Sequence, residues 1–276
     1  MNDNKKKGQK SVGKKVLQTL GFLMGIVVLT LAGTKICMVV MELLKLPLTE
    51  DQLMGYTGSL GMLIAGLAIA IFMEKTQSDQ ELRERRERLS IKAIPMALLS
   101  ISVIPVLWGS LLGVVMGAVR PVEANAPSGM TLIELIMVCL IGPIAEELLM
   151  RKGLYGFLRD RFPKAAALIV SSVLFAAIHG FGIQGATQAF LVGMVLAIAF
   201  EKTGNLWYSI CIHMGLNLFS NVSNALVHSG VSFYTEPNGY VIYHWSVILV
   251  AVLAVTTAMI VWLRKRPVAE CVSVCR

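Results

Sequence analysis

Three short stretches carry most of the side chains in this sequence that could do chemistry. "GPIAEELLMRK" (142–152) places Glu146 beside Glu147, with Arg151 four residues after the second. "FAAIH" (175–179) places Phe175 one helical turn before His179, and "HMGLN" (213–217) places His213 one turn before Asn217. A spacing of four puts two side chains on the same face of a helix, whereas adjacent residues point about 100° apart. Glu147 and Arg151 can therefore pair along one face and leave Glu146 to look elsewhere. A neutral imidazole with an amide beside it offers a base or donor and a second donor for a developing oxyanion. Each segment also has a plainer reading. Glu and Arg can mark a membrane exit, a single His can cap a helix, a Phe can be core, and a His–Asn pair can be interhelical glue.

The surroundings decide how much these polar groups mean. The chain has 276 residues, 55% of them hydrophobic and 15% charged, with a mean hydropathy of +0.69. A soluble domain carries about 25% charged residues. With several apolar runs near the length of a bilayer crossing, the sequence reads as an all-α, polytopic membrane helix bundle. Eight spans are expected: 16–39, 53–73, 94–119, 130–150, 165–179, 186–200, 206–226 and 241–263. A basic tail (1–15) leads into three spans (16–126), a core holding the three segments (127–226), and a last span with a tail (227–276). Charged groups within spans cost about 2.5–3.5 kcal/mol each by insertion scales, so those present need a reason. Pro143, just before the glutamates, removes a helix hydrogen bond and is expected to loosen the fourth span.

Charge asymmetry orients the bundle. With the N-terminus cytoplasmic, eight spans place 22 of the 25 Lys and Arg residues on the inner side, as the positive-inside rule requires. Both termini are then cytoplasmic. The net charge of +8 is accounted for by topology and anionic lipid rather than nucleic acid. Cys37, Cys139 and Cys211 fall in apolar runs as small fillers, and no disulfide is expected of Cys271 and Cys275 in a cytoplasmic tail.

Read in order, Glu-Glu-x-x-x-Arg, Phe-x-x-x-His and His-x-x-x-Asn on three separate spans resemble the CPBP family of intramembrane proteases. That family includes the eukaryotic CAAX prenyl endopeptidase and the bacterial Abi bacteriocin self-immunity proteins. The likeness covers about 131–220, including "GNLWYSICIH" before the third motif. It departs from the family pattern at Met150, where Phe is common before the Arg, and at Lys152, which separates Arg151 from Gly153. The resemblance implies hydrolysis of a peptide bond at the membrane. Glu146 would activate the attacking water, and His179 would hold or polarise it. His213 and Asn217 would stabilise the oxyanion, while Glu147, Arg151 and Phe175 support the site. These roles require Glu146 and His179 to meet, although the span edges put them near opposite faces. The fourth helix is therefore expected to run on past Arg151, to about Asp160.

The cofactor is open at this stage. Glu146, His179 and His213 could form a zinc site of the His₂Glu type, but no His-Glu-x-x-His helix is present. A metal-free glutamate mechanism fits the same residues and is slightly favoured. The expected partners are a membrane-associated protein or peptide substrate and the lipid bilayer, with no nucleic acid. The lysine-rich head and compact loops point to a bacterial plasma membrane, hence to peptide maturation or bacteriocin immunity rather than CAAX processing. Two other classes remain: a proton-coupled transporter using Glu146, His179 and His213 as a relay, and a non-catalytic immunity or scaffold protein.

Overall fold

The computed structural model describes residues 2–76, 84, 131–179 and 182–228, and every regular element among them is a helix. The expected third and eighth spans, and the cysteines at 271 and 275, lie outside the described residues. Helix α1 (Asn2–Leu43) and α2 (Glu50–Lys75) form a hairpin. Helix α3 runs over 132–159, followed by α4 (Lys164–His179), α5 (Gly182–Thr203) and α6 (Leu206–His228). Among the described residues, three stretches are long and apolar enough to cross a membrane: Val12–Leu43, Glu50–Lys75 and Gly185–Thr203. Lys164–His179 is apolar but shorter. These helices make the chain an integral membrane protein.

The helix boundaries follow local sequence signals. Thr49 and Gln52 form a capping box at the start of α2, and Thr131 and Glu134 form another at the start of α3. Gln52 Nε2 donates to Glu134 Oε1 at 3.1 Å, so the two caps are tied together and the helices leave them in parallel. Between α5 and α6, Gly204 takes a left-handed φ of 60° that favours glycine. Asn205 next to it accepts the Trp207 amide hydrogen at 3.0 Å and starts α6.

Helices approach closely where side chains are smallest. A Cβ on Gly33 would lie 2.8 Å from the Gly61 carbonyl oxygen, and a Cβ on Gly61 would collide with the Thr34 backbone. This contact joins α1 to α2 in the manner of small-residue membrane interfaces. A Cβ on Gly66 would lie 2.8 Å from Leu148 Cβ, which brings α2 against α3 at the level of the glutamates. The core continues through Met73, Leu154, Phe175, Leu196 and Ile212.

Helix α3 differs from a simple span in its winding. It is α-helical at Leu132–Ile136, π-helical at Met137–Ile141, α-helical at Gly142–Glu147, π-helical again at Leu148–Tyr155, and α-helical to Arg159. Wide turns of this kind concentrate at functional sites and at breaks in the hydrogen-bond ladder. Pro143 sits between the two wide stretches, and the helix passes through it without ending. Its continuation to Arg159 bears out the expected extension past Arg151. From Glu146, α3 runs on to Arg159 before the turn, and α4 returns from Lys164 to His179. The two side chains therefore reach the same level.

Candidate active site

All three sequence segments converge. Glu146 Oε2 lies 3.2 Å from His179 Nε2 on α4 and 3.8 Å from His213 Nε2 on α6. Glu147 Oε1 accepts a hydrogen bond from His213 Nδ1 at 2.9 Å and lies 3.0 Å from Arg151 Nη1. The Arg151 contact has ion-pair distance without hydrogen-bond direction, since Nη1 has no hydrogen-bond partner among the described residues. Arg151 Nη2 instead donates to the Gly193 carbonyl of α5 at 3.2 Å. A buried relay thus runs from α5 through Arg151 and Glu147 to His213.

The two glutamates have different surroundings, as their 100° separation requires. Glu147 is wholly buried and Arg151 is 2% exposed, whereas Glu146 is 15% exposed and His179 34%. Taking a carboxylate and a guanidinium out of water is expensive, and removing one partner leaves the other uncompensated. Glu147 is therefore fixed among charged neighbours, while Glu146 remains the reachable carboxylate. Glu146 Oε2 is buried, and the two imidazole Nε2 atoms face it.

The histidines are held by their inner edges. His179 Nδ1 donates to the Phe175 carbonyl at 2.9 Å, and His213 Nδ1 donates to Glu147. With both Nδ1 atoms committed, each imidazole presents Nε2 towards Glu146. Phe175, 2% exposed, is the body around which these groups gather. Its ring centroid is 4.3 Å from that of His179 and 5.8 Å from that of His213 in an edge-on arrangement. The Arg151 guanidinium lies 4.4 Å over the same ring, a cation–π contact. Gly193 permits this packing, because a Cβ there would lie 3.2 Å from the Phe175 ring.

Asn217, expected beside the oxyanion, has its amide on α3: Nδ2 donates to the Val138 carbonyl at 2.9 Å. Asn221, one turn later, donates to the Asn217 carbonyl at 2.8 Å and lies 3.8 Å from Cys139 Sγ.

Two features escaped the sequence reading. One is the Gly193 carbonyl, since a backbone acceptor has no signature in side-chain types. The other is Glu201, 2% exposed at the end of α5. It accepts from Tyr155 Oη at 2.7 Å, pairs with Arg159 at 3.3 Å, and also pairs with Lys164. This cluster ties α5 to the α3–α4 turn about two helical turns below Arg151. Beside Lys202, Glu201 reads in the sequence as an ordinary helix-end charge. Its partners could have been suspected from Tyr155 and Arg159, four apart on one face of α3.

The donor set of Glu146, His179 and His213 has the chemistry of a zinc site, and carbonyl or carboxylate groups hold the Nδ1 edges as such sites require. The arrangement itself does not close on an ion: among the described residues no group of three or more His, Cys, Asp or Glu could hold one.

Residues 128–219 match the family model described as "Type II CAAX prenyl endopeptidase Rce1-like", which bears out the resemblance carried by the three motifs. The chain is also similar to the Bacillus subtilis (strain 168) protein named "Putative membrane peptidase YdiL". The two are 28% identical over 85 residues, which is 31% of this chain and 34% of that protein. The likeness thus spans about a third of that relative. No solved structure matches.

Proposed function

We propose that the protein is an intramembrane endopeptidase, related to CAAX-processing enzymes, that cleaves a membrane-associated protein or peptide with water activated by Glu146. The observation that carries this reading is Glu146 Oε2 itself: a buried carboxylate oxygen faced by Nε2 of two histidines from different helices, at 3.2 Å and 3.8 Å. A water resting against these three atoms would meet a base and two imidazole nitrogens together.

In the proposed reaction Glu146 takes a proton from water as the hydroxyl oxygen attacks the peptide carbonyl carbon. His179 Nε2 orients that water. His213, as an imidazolium whose Nδ1–H stays on the Glu147 carboxylate, donates its Nε2–H to the oxyanion, in a setting where little bulk water competes. Glu146 then passes its proton to the departing amine nitrogen, and the C–N bond breaks. Glu147 keeps the His213 ring in place through Nδ1, and Arg151 holds Glu147. The mechanism uses the chain's own residues and is metal-free.

The same reading keeps eight spans with both termini cytoplasmic. For the substrate it retains CAAX-type processing and, as the bacterial alternative, maturation of a secreted peptide or bacteriocin immunity. The test is cleavage of membrane-anchored peptides by the full-length protein in lipid vesicles. Wild type should generate fragments, while Glu146→Gln, His179→Asn and His213→Asn should each abolish them. Cleavage that persists in Glu146→Gln would refute this mechanism.

A further inference from the structure

In an α-helix the carbonyl of Val138 would accept the amide hydrogen of Gly142, four residues on; in a π-helix it would accept that of residue 143. Neither is at hand. The Gly142 N–H donates to the Met137 carbonyl, closing the π-turn Met137–Ile141. Residue 143 is proline and has no N–H to give. A backbone carbonyl left without a donor inside a membrane is costly, and irregular helix is tolerated there when a neighbouring side chain supplies the missing bond. Asn217 Nδ2 supplies it, from 79 residues along the chain, at 2.9 Å.

We infer that Asn217 is a positioning residue, whose amide replaces the hydrogen bond that Pro143 removes from Val138 and thereby sets α6 against α3. His213 lies one turn before Asn217 on the same face of α6, so this bond fixes the level at which His213 meets Glu147 and Glu146. The widened turn, the proline and the asparagine form one device. Pro143 opens the ladder of α3 just above the glutamates, and Asn217 uses the opening as the docking point for the histidine helix. The contribution of this device to cleavage rests on the proposed role of His213, but the coupling between residues 143 and 217 does not.

A double-mutant cycle tests it. Pro143→Ala restores an amide hydrogen that Val138 can accept, and Asn217→Leu removes the side-chain donor at similar volume. Both thermal unfolding in detergent and peptide cleavage are measured for the wild type, each single variant and the double variant. The inference expects Asn217→Leu to lower the melting temperature and to cut kcat by about tenfold when Pro143 is present, but to have little effect on either after Pro143→Ala. Equal loss in both backgrounds, with no coupling in the melts, would overturn it and make Asn217 a direct donor to the oxyanion. If Asn217→Leu does not accumulate, recovery of folded protein in the double variant supports the inference and its absence contradicts it. Should the wild type cleave nothing, the proposed function fails while the melting cycle still decides this point.

Discussion

Glu147 Oε1 lies 2.9 Å from His213 Nδ1, across 66 residues of chain and two helices. That bond separates the roles of two glutamates that are neighbours in sequence. Glu147 spends its inner oxygen on the histidine and on Arg151, which in turn grips α5. Glu146, one residue earlier and a quarter-turn round the helix, is left to face both imidazole Nε2 atoms.

The two glutamates should therefore fail differently. Glu147→Gln strands a buried guanidinium and frees the His213 ring, which should cost about 3–5 kcal/mol of stability. Glu146→Gln should change stability by less than about 1 kcal/mol and yet abolish cleavage. Unfolding in mixed detergent with SDS, run beside an activity assay, distinguishes the pair. Similar melts for the two variants would contradict the assignment.

Much of this site was legible in the sequence because its signals are periodic. Glu147 with Arg151, Phe175 with His179, and His213 with Asn217 each obey the four-residue spacing. Each pair shares a face in the structure. The depth conflict between Glu146 and His179 also had a sequence-level solution, which α3 adopts by running on to Arg159. What spacing could not reveal was the winding of α3, because apolar residues do not encode whether a turn closes on the fourth or the fifth amide. The partner of Asn217 was hidden for the same reason: the Val138 acceptor is a backbone atom. Glu201 was missed because its burial depends on where α3 turns.

Glu201 gives a prediction of its own. Tyr155 donates to it at 2.7 Å in a buried setting, and a buried hydrogen bond to a charged group contributes about 1.5–3 kcal/mol. Tyr155→Phe should lose stability in that range while the ion pairs with Arg159 and Lys164 persist. Thermal melts would show it, and an unchanged melting temperature would mean the cluster does not hold α5.

The α1–α2 hairpin supplies a packing test remote from the site. Gly61→Ala drives a methyl into the Thr34 backbone and should cost about 1–3 kcal/mol, the usual penalty of overpacking. Gly13→Ala meets nothing within 4 Å and should be neutral or stabilise by up to about 1 kcal/mol through helix propensity. Equal melts for the two variants would refute the close crossing.

A metal-free mechanism predicts that cleavage survives exhaustive dialysis against a zinc chelator, with Glu146→Gln still inactive. Loss of activity on chelation, restored by zinc alone, would transfer the role of activating water to a bound ion.

The most direct test of the central claim is a comparison of new protein N-termini in membranes from cells expressing the wild type or Glu146→Gln at equal levels. The account predicts a set of cleaved membrane-associated peptides present only with the wild type, whose sequences would identify the substrate. Identical sets of N-termini, with every phenotype of the protein intact in Glu146→Gln, would contradict catalysis and leave a membrane scaffold as the better description.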